Sequence, residues 1–121
     1  MNIFAVGIGG ALGAMLRYVV SEVIPFNGGF PIATLIVNLL GSFLLALIVT
    51  KSSLVKNAHL KLAMTTGFLG AFTTFSTFSF ETFILIENEA YFTAVCYVGI
   101  SLIGGIALSF FGFWCGKGEQ V

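Results

Sequence analysis

Four stretches of about 20 residues run through this chain with almost no charged side chain. They cover residues 2–21, 32–50, 62–85 and 92–114, and about 20 helical residues suffice to cross a bilayer. Charged residues make up 8% of the 121, where a soluble domain has about 25%. A globule of this size cannot bury so much apolar surface within itself. The sequence therefore predicts an all-α membrane protein, a single domain of four transmembrane helices over residues 1–121.

Charge and cysteine content exclude several classes of protein. The formal net charge is zero and no basic run occurs, which removes the electrostatic footprint of a nucleic-acid-binding protein. The two cysteines, Cys96 and Cys115, form no CxxC pair, so neither a disulfide framework nor a zinc site is indicated. No nucleophile, metal triad or phosphate-binding loop is recognisable, so the sequence does not indicate an enzyme.

The basic residues of the loops lie on one side of the predicted membrane. With four spans, both termini and the second loop share a side, which holds Lys51, Lys56, Lys61 and Lys117. The opposite loops contain no Lys or Arg, although Arg17 lies near their end of the first span. The positive-inside rule therefore favours an orientation with both termini in the cytoplasm.

The first span combines small residues with one arginine. Gly9, Gly10, Gly13 and Ala14 form a small-xxx-small pattern, which lets another backbone approach closely. Arg17 needs an anion, carbonyl groups or water, because its guanidinium stays charged. Either this side chain snorkels to the nearby interface or it acts directly in function.

Polar side chains in the second and fourth spans recur at helical spacing. The stripe in the second span consists of Thr34, Asn38, Gly41 and Ser42. The stripe in the fourth span consists of Tyr97, Ser101, Gly105 and Ser109. Residues at these spacings share one face of a helix, and polar groups inside a membrane are functional candidates by default.

The third span is rich in glycine, hydroxyl and phenylalanine residues from Gly67 to Glu81. At about 100° per residue, one helical face carries Gly70, Thr73, Thr74, Thr77 and Glu81, with Phe78 at its border and Phe75 further round. Hydroxyl side chains compete for backbone hydrogen bonds, so the sequence predicts a broken third helix, and the shared face then holds only within each half. A membrane tolerates such a break where it lines a cavity or is buried. A lining of hydroxyl and amide donors with positive phenyl edges suits a small anion.

Three of these segments, residues 9–18, 34–43 and 67–81, resemble the Fluc (CrcB-type) bacterial fluoride channels. The most specific part is Thr-Thr-Phe-Ser-Thr-Phe-Ser, residues 73–79. The resemblance implies two four-helix subunits packed antiparallel as a dual-topology dimer, with two narrow fluoride pores along their interface. It also implies passive export of cytoplasmic fluoride across the bacterial inner membrane, which protects the cell against fluoride toxicity.

The resemblance also assigns roles to residues by position. Phe75 and Phe78 would present their ring edges to fluoride, and Asn38 would be the amide donor of the pore. The polar lining would further include Thr34, Tyr97, Ser101 and Glu81. The helical stripes add Thr77 and Ser109 to this lining.

A structural sodium ion on the dimer axis is implied as well, held by the backbone carbonyls of Gly70 and Thr73. Arg17 matches the first-span arginine of the family, whose role is either anion attraction in a vestibule or structure. Two features depart from the family pattern. Gly105 stands where other members can carry a hydroxyl, and four lysines on one side exceed what dual topology predicts. The partner is therefore either a second copy of this chain or an oppositely oriented paralogous subunit.

Two other functions are compatible with a small four-span protein. A proton-coupled multidrug transporter is expected to carry a glutamate in its first span, whereas the only acidic residue deep in a span here is Glu81. A non-transporting membrane subunit would use its polar stripes only to hold helices together, and it would conduct no ion after purification.

Overall fold

A computed structural model describes residues 2–118 of the chain. Its helices are α1 (Asn2–Val23), α2 (Ile32–Thr50), α3 (Ala58–Leu62), a π-helix (Ala63–Leu69), α4 (Gly70–Phe72), α5 (Phe75–Glu87) and α6 (Tyr91–Lys117). Within residues 2–118, four helical segments are long and apolar enough to span a membrane: 2–23, 32–50, 58–87 and 91–117. The all-α class with four spans is thereby confirmed. The domain predicted over 1–121 includes terminal residues that lie outside the described range.

The third membrane segment is broken, as the sequence predicts. Its helical path stops at Thr73, with ψ 157°, and Thr74 is fully extended, with φ −150° and ψ 126°. Thr74 is also the N-cap of α5, because its Oγ1 accepts a hydrogen bond from the Thr77 amide at 3.1 Å. The hydroxyl thus replaces a helical carbonyl as the partner of that amide, which is how Ser and Thr end helices.

The glycines of α1 bring its backbone against the π-helix. A Cβ atom on Gly9 would lie under 3.0 Å from the Ala63 carbonyl oxygen, and one on Gly13 equally close to the Phe68 carbonyl oxygen. The approach is reciprocal, since a Cβ atom on Gly67 would lie 2.6 Å from the Val6 carbonyl oxygen. The small residues of the first span are therefore packing residues, as their spacing indicates.

Helix α6 packs along α2 through two further glycines. A Cβ atom on Gly112 would overlap with the Phe43 carbonyl oxygen, and one on Gly116 would lie 2.8 Å from the Thr50 Cβ. Val37 and Ile48 of α2 form one buried cluster with Leu69 and Phe72 of the third segment. Leu85, Ala94 and Tyr97 form a second cluster, next to α5. These contacts place α2 against both α6 and the third segment.

Much of the outer surface is apolar, in keeping with a membrane protein. Only 11% of the most apolar 18-residue window is buried in α1, and the same share in α6. Phe92, Phe110 and Trp114 on α6 are exposed by 83%, 71% and 71%. An apolar surface of this extent requires lipid or another subunit around it.

Candidate functional site

A groove of about 330 Å³ opens where the third segment breaks, and we call it the break groove. Its polar and aromatic lining consists of Asn38, Ser42, Thr65, Thr73, Thr74, Phe75, Phe78 and Ser101. Gly41 and Gly70 also line it. The groove therefore joins the stripes of the second and fourth spans to the hydroxyl-rich motif of the third.

Asn38 holds the broken backbone through both atoms of its side-chain amide. Its Nδ2 donates to the Thr74 carbonyl oxygen at 2.9 Å, and its Oδ1 accepts from the Thr74 amide at 2.8 Å. Thr74 is 8% exposed, so without Asn38 these two backbone groups would be buried without partners, which is costly inside a membrane. One N–H of the Asn38 amide remains for a further acceptor, because the group has two.

Two carbonyl groups lose their usual helical donors at the break. In a continuous helix the Thr74 amide would donate to the Gly70 carbonyl, but it donates to Asn38 instead. The Thr77 amide would donate to the Thr73 carbonyl, but it donates to the Thr74 hydroxyl. Gly70 and Thr73 both line the break groove. Their carbonyl oxygens are the kind of neutral ligand that a hard cation accepts.

An aromatic group borders the groove. Phe75 is 79% exposed, and its ring centroid lies 5.8 Å from that of Phe78. Phe78 in turn lies 5.1 Å from the ring of Tyr97, which is fully buried and also meets Phe30 edge-on at 5.7 Å. The Phe78 ring is thus fixed by packing, and the Phe75 ring faces out of this chain.

A second cavity of about 200 Å³ lies behind the break, and we call it the Arg17 cavity. Its polar lining consists of Arg17, Tyr18, Ser21, Thr34, Thr74, Thr77 and Glu81. Glu81 is 6% exposed, and both of its carboxyl oxygens accept hydroxyl hydrogen bonds. Thr34 Oγ1 donates to Oε1 and the Tyr97 hydroxyl donates to Oε2, each at 2.8 Å.

A third opening, the α6 groove, has a volume of about 560 Å³ and is lined mainly by apolar side chains of α6. Ser42 and Ser101 line both this groove and the break groove, and Ser109 lies further along it. The Ser42 hydroxyl donates to the Asn38 carbonyl at 2.8 Å. Among the described residues, the Ser101 hydroxyl is buried and has no hydrogen-bond partner. A buried hydroxyl without a partner calls for an explanation, and this one belongs to a residue that lines both grooves.

The structure distributes the predicted site residues over these three spaces. The break groove contains Asn38, Gly70, Thr73, Phe75, Phe78 and Ser101. The Arg17 cavity contains Arg17, Thr34, Thr77 and Glu81. Ser109 lies in the α6 groove, and the buried Tyr97 connects Phe78 to Glu81. The single face predicted from Gly70 to Glu81 is therefore split, because the backbone changes direction at Thr73 and Thr74.

Among the lining residues that the predicted site does not include, Thr74 has the most central position. Thr74 lines both the break groove and the Arg17 cavity. The helical wheel placed it on the polar face, but only its extended backbone shows that it stands between two spaces.

Comparison with known proteins identifies the family. A family model described as "CrcB-like protein, Camphor Resistance (CrcB)" matches residues 4–113. This chain belongs to the CrcB family. The CrcB match includes all three motifs on which the resemblance was based, and the family prediction is confirmed.

Several CrcB relatives carry a descriptive name. A Methanococcus aeolicus protein named "Fluoride-specific ion channel FluC" is 42% identical over 112 residues, covering 92% of this chain and 91% of the relative. A Methanocaldococcus jannaschii protein of the same name is 40% identical, covering 92% and 90%. A Staphylococcus aureus protein named "Fluoride-specific ion channel FluC 1" is 45% identical over 113 residues, covering 92% and 93%. The relatives thus match this CrcB chain over nearly its whole length.

Proposed function

We propose that this chain forms a fluoride-selective channel through which cytoplasmic fluoride leaves the cell passively. One observation carries the proposal: a helix break inside the membrane, held by Asn38, opens beside Phe75 and Phe78. Relatives that are 40% to 45% identical are named fluoride-specific ion channels. Together, the break and the relatives favour a channel over a multidrug transporter or a non-transporting subunit.

The available donors fit the demands of fluoride. The ion is strongly hydrated, so a narrow path must replace its water with donors at closely spaced positions. Asn38, which has a second N–H, and Ser101, whose hydroxyl has no partner, both line the break groove, and the phenyl edges of Phe75 and Phe78 add positive partial charge. In this proposal, fluoride exchanges water for these groups as it passes the break.

The Arg17 cavity provides an anion-attracting space beside the break. Arg17 contributes a permanent positive charge, while the carboxyl oxygens of Glu81 are occupied by the hydroxyls of Thr34 and Tyr97. Thr74 and Thr77 line this cavity, and Thr74 also lines the break groove. We assign Arg17 to anion attraction, and Glu81 to fixing the hydroxyls of Thr34 and Tyr97 along the path.

A second subunit completes the proposed pore. Phe75 is 79% exposed, and Ser109 lies in the open α6 groove, so both face outward from this chain. An antiparallel subunit covering this face would enclose the path, and the two-fold arrangement would create two pores. The partner is a second copy of this chain or an oppositely oriented paralogous subunit, in the inner membrane of the cell.

The helix break also offers a sodium site. The carbonyl groups of Gly70 and Thr73 have lost their helical donors to other partners, and neutral oxygens suit a hard cation. Bound between two subunits, sodium would supply positive charge near the path and link the two breaks. We propose that Gly70 and Thr73 hold it.

The test is fluoride efflux from liposomes that contain this chain alone. Vesicles loaded with potassium fluoride are treated with valinomycin, and release is followed with a fluoride electrode, with chloride-loaded vesicles as control. Fast release of fluoride without chloride supports a selective channel formed by identical subunits. No release from the chain alone, followed by release after an oppositely oriented paralogue is added, supports a heterodimer. No release in either case contradicts the channel proposal.

A further inference from the structure

A glycine on α2, one turn after Asn38, faces the break in the third segment. A Cβ atom on Gly41 would lie under 3.0 Å from the Cγ2 methyl of Thr73, and 3.8 Å from Cδ1 of Phe72. Gly41 is buried, and both Gly41 and Thr73 line the break groove. Helix α2 therefore contacts the broken segment at a point where even a methyl group would overlap.

Thr73 cannot move aside without losing a contact. Its Oγ1 donates to the Leu69 carbonyl at 2.9 Å, and a β-branched side chain has few favourable rotamers. Turning the methyl away from α2 would also turn the hydroxyl away from Leu69. Gly104 differs, because a Cβ atom there would meet the Leu39 Cδ2 at 3.0 Å, at the flexible end of a side chain. The overlap at Gly41 must therefore be relieved by the backbone.

We propose that Gly41 is a positioning residue for the ion path, an inference that rests on the proposed channel function. Because Gly41 has no side chain, α2 comes close enough for Asn38 to hold Thr74 through bonds of 2.9 and 2.8 Å. A withdrawal of α2 by about 1 Å would stretch both bonds beyond the usual range for hydrogen bonds. It would thereby release the backbone just before Phe75.

The test is a double-mutant cycle on fluoride efflux from liposomes with the full chain. Gly41→Ala adds the overlapping methyl, and Thr73→Ser removes the Cγ2 that it meets while keeping the Oγ1 bond to Leu69. We expect Gly41→Ala to lower the efflux rate roughly tenfold or more. The Gly41→Ala/Thr73→Ser double variant should return to within about threefold of Thr73→Ser alone. Gly7→Ala is the matched control, since a Cβ atom there has nothing within 4 Å.

The outcomes separate this inference from the channel proposal. Wild-type efflux in Gly41→Ala, or a loss that Thr73→Ser does not rescue, overturns the role of Gly41 and leaves the channel intact. A Gly41→Ala chain that fails to fold does not block the test, because the double variant still has to recover efflux. Absence of fluoride efflux from the wild-type chain, with or without a paralogous partner, overturns the channel itself and with it the inference.

Discussion

At the scale of single residues, Asn38 combines an observed structural role with the pore role proposed for it. Its spacing in the second span marks it as part of a polar stripe, but its partner is Thr74, 36 residues further along the chain. Sequence spacing identifies residues on one helix face, and it does not identify what packs against that face. The amide donor was therefore predictable, and its hold on the broken backbone was not.

Asn38→Ala should weaken both the fold and the conduction. Deleting the amide leaves the Thr74 N–H and C=O without their partners, which we expect to lower the free energy of unfolding by about 2 kcal/mol. Fluoride efflux should fall as the break loosens. Unfolding in detergent and liposome efflux measure the two effects. Ser79→Ala is the control for stability, because the exposed Ser79 hydroxyl bonds only within its own helix; equal stability of both variants would contradict the role of Asn38.

The next substitutions test whether conduction needs the phenyl rings themselves or only apolar side chains of similar size. Phe75→Ala and Phe78→Ala should each lower fluoride efflux about tenfold or more, because the positive ring edges are lost. Phe75→Leu retains an apolar side chain without the ring and should also conduct poorly. Phe92→Ala is the control, since Phe92 is 83% exposed at the start of α6. Normal efflux in both alanine variants, with subunit assembly intact by size-exclusion chromatography, would remove the phenyl hypothesis.

At the scale of elements, the third segment contains one feature that its sequence predicts, the helix break, and one that it does not, the π-helix. The break at Thr73 and Thr74 follows from local chemistry, because adjacent hydroxyls compete for backbone donors and Thr74 caps the next helix. The π-helix over Ala63–Leu69 has no comparable local signal. In this region, Gly9 and Gly13 let α1 pack closely against the Ala63 and Phe68 carbonyl groups. The π-helix thus coincides with a contact between segments that are distant in sequence, and local sequence patterns do not show such a contact.

Gly13→Ala should destabilise the contact between α1 and the π-helix. The new Cβ would lie under 3.0 Å from the Phe68 carbonyl oxygen, and backbone atoms cannot rotate away as a side chain can. Overpacking of this kind costs about 1 to 3 kcal/mol, measurable as a lower unfolding temperature in detergent. Gly7→Ala on the same helix meets nothing within 4 Å and should be neutral or slightly stabilising, since alanine favours a helix. Equal effects of the two substitutions would contradict the packing role.

At the scale of the whole molecule, the two ends of the bundle differ in charge although the net charge is zero. One end carries Lys51, Lys56, Lys61 and Lys117. At this end, Lys61 Nζ donates to the Val49 carbonyl oxygen at 3.4 Å, near the end of α2. The other end carries Glu22, Glu87 and Glu89. Lysines bias the loops that carry them toward the cytoplasm, whereas acidic residues contribute little. The charge distribution therefore favours one orientation over an equal mixture.

We predict that most copies insert with both termini in the cytoplasm. In a background with Cys96 and Cys115 replaced by alanine, Asn27→Cys should react with an impermeant maleimide on intact cells, and Ser53→Cys only after permeabilisation. Adding Lys at Gly29 and replacing Lys56 with Gln should shift part of the labelling at Ser53→Cys to the outside, because the charge bias becomes smaller. Equal labelling of the two positions before any charge change would contradict a fixed orientation. It would mean that one sequence supplies both halves of an antiparallel dimer, whereas one-sided labelling requires a second, oppositely oriented subunit to complete the pore.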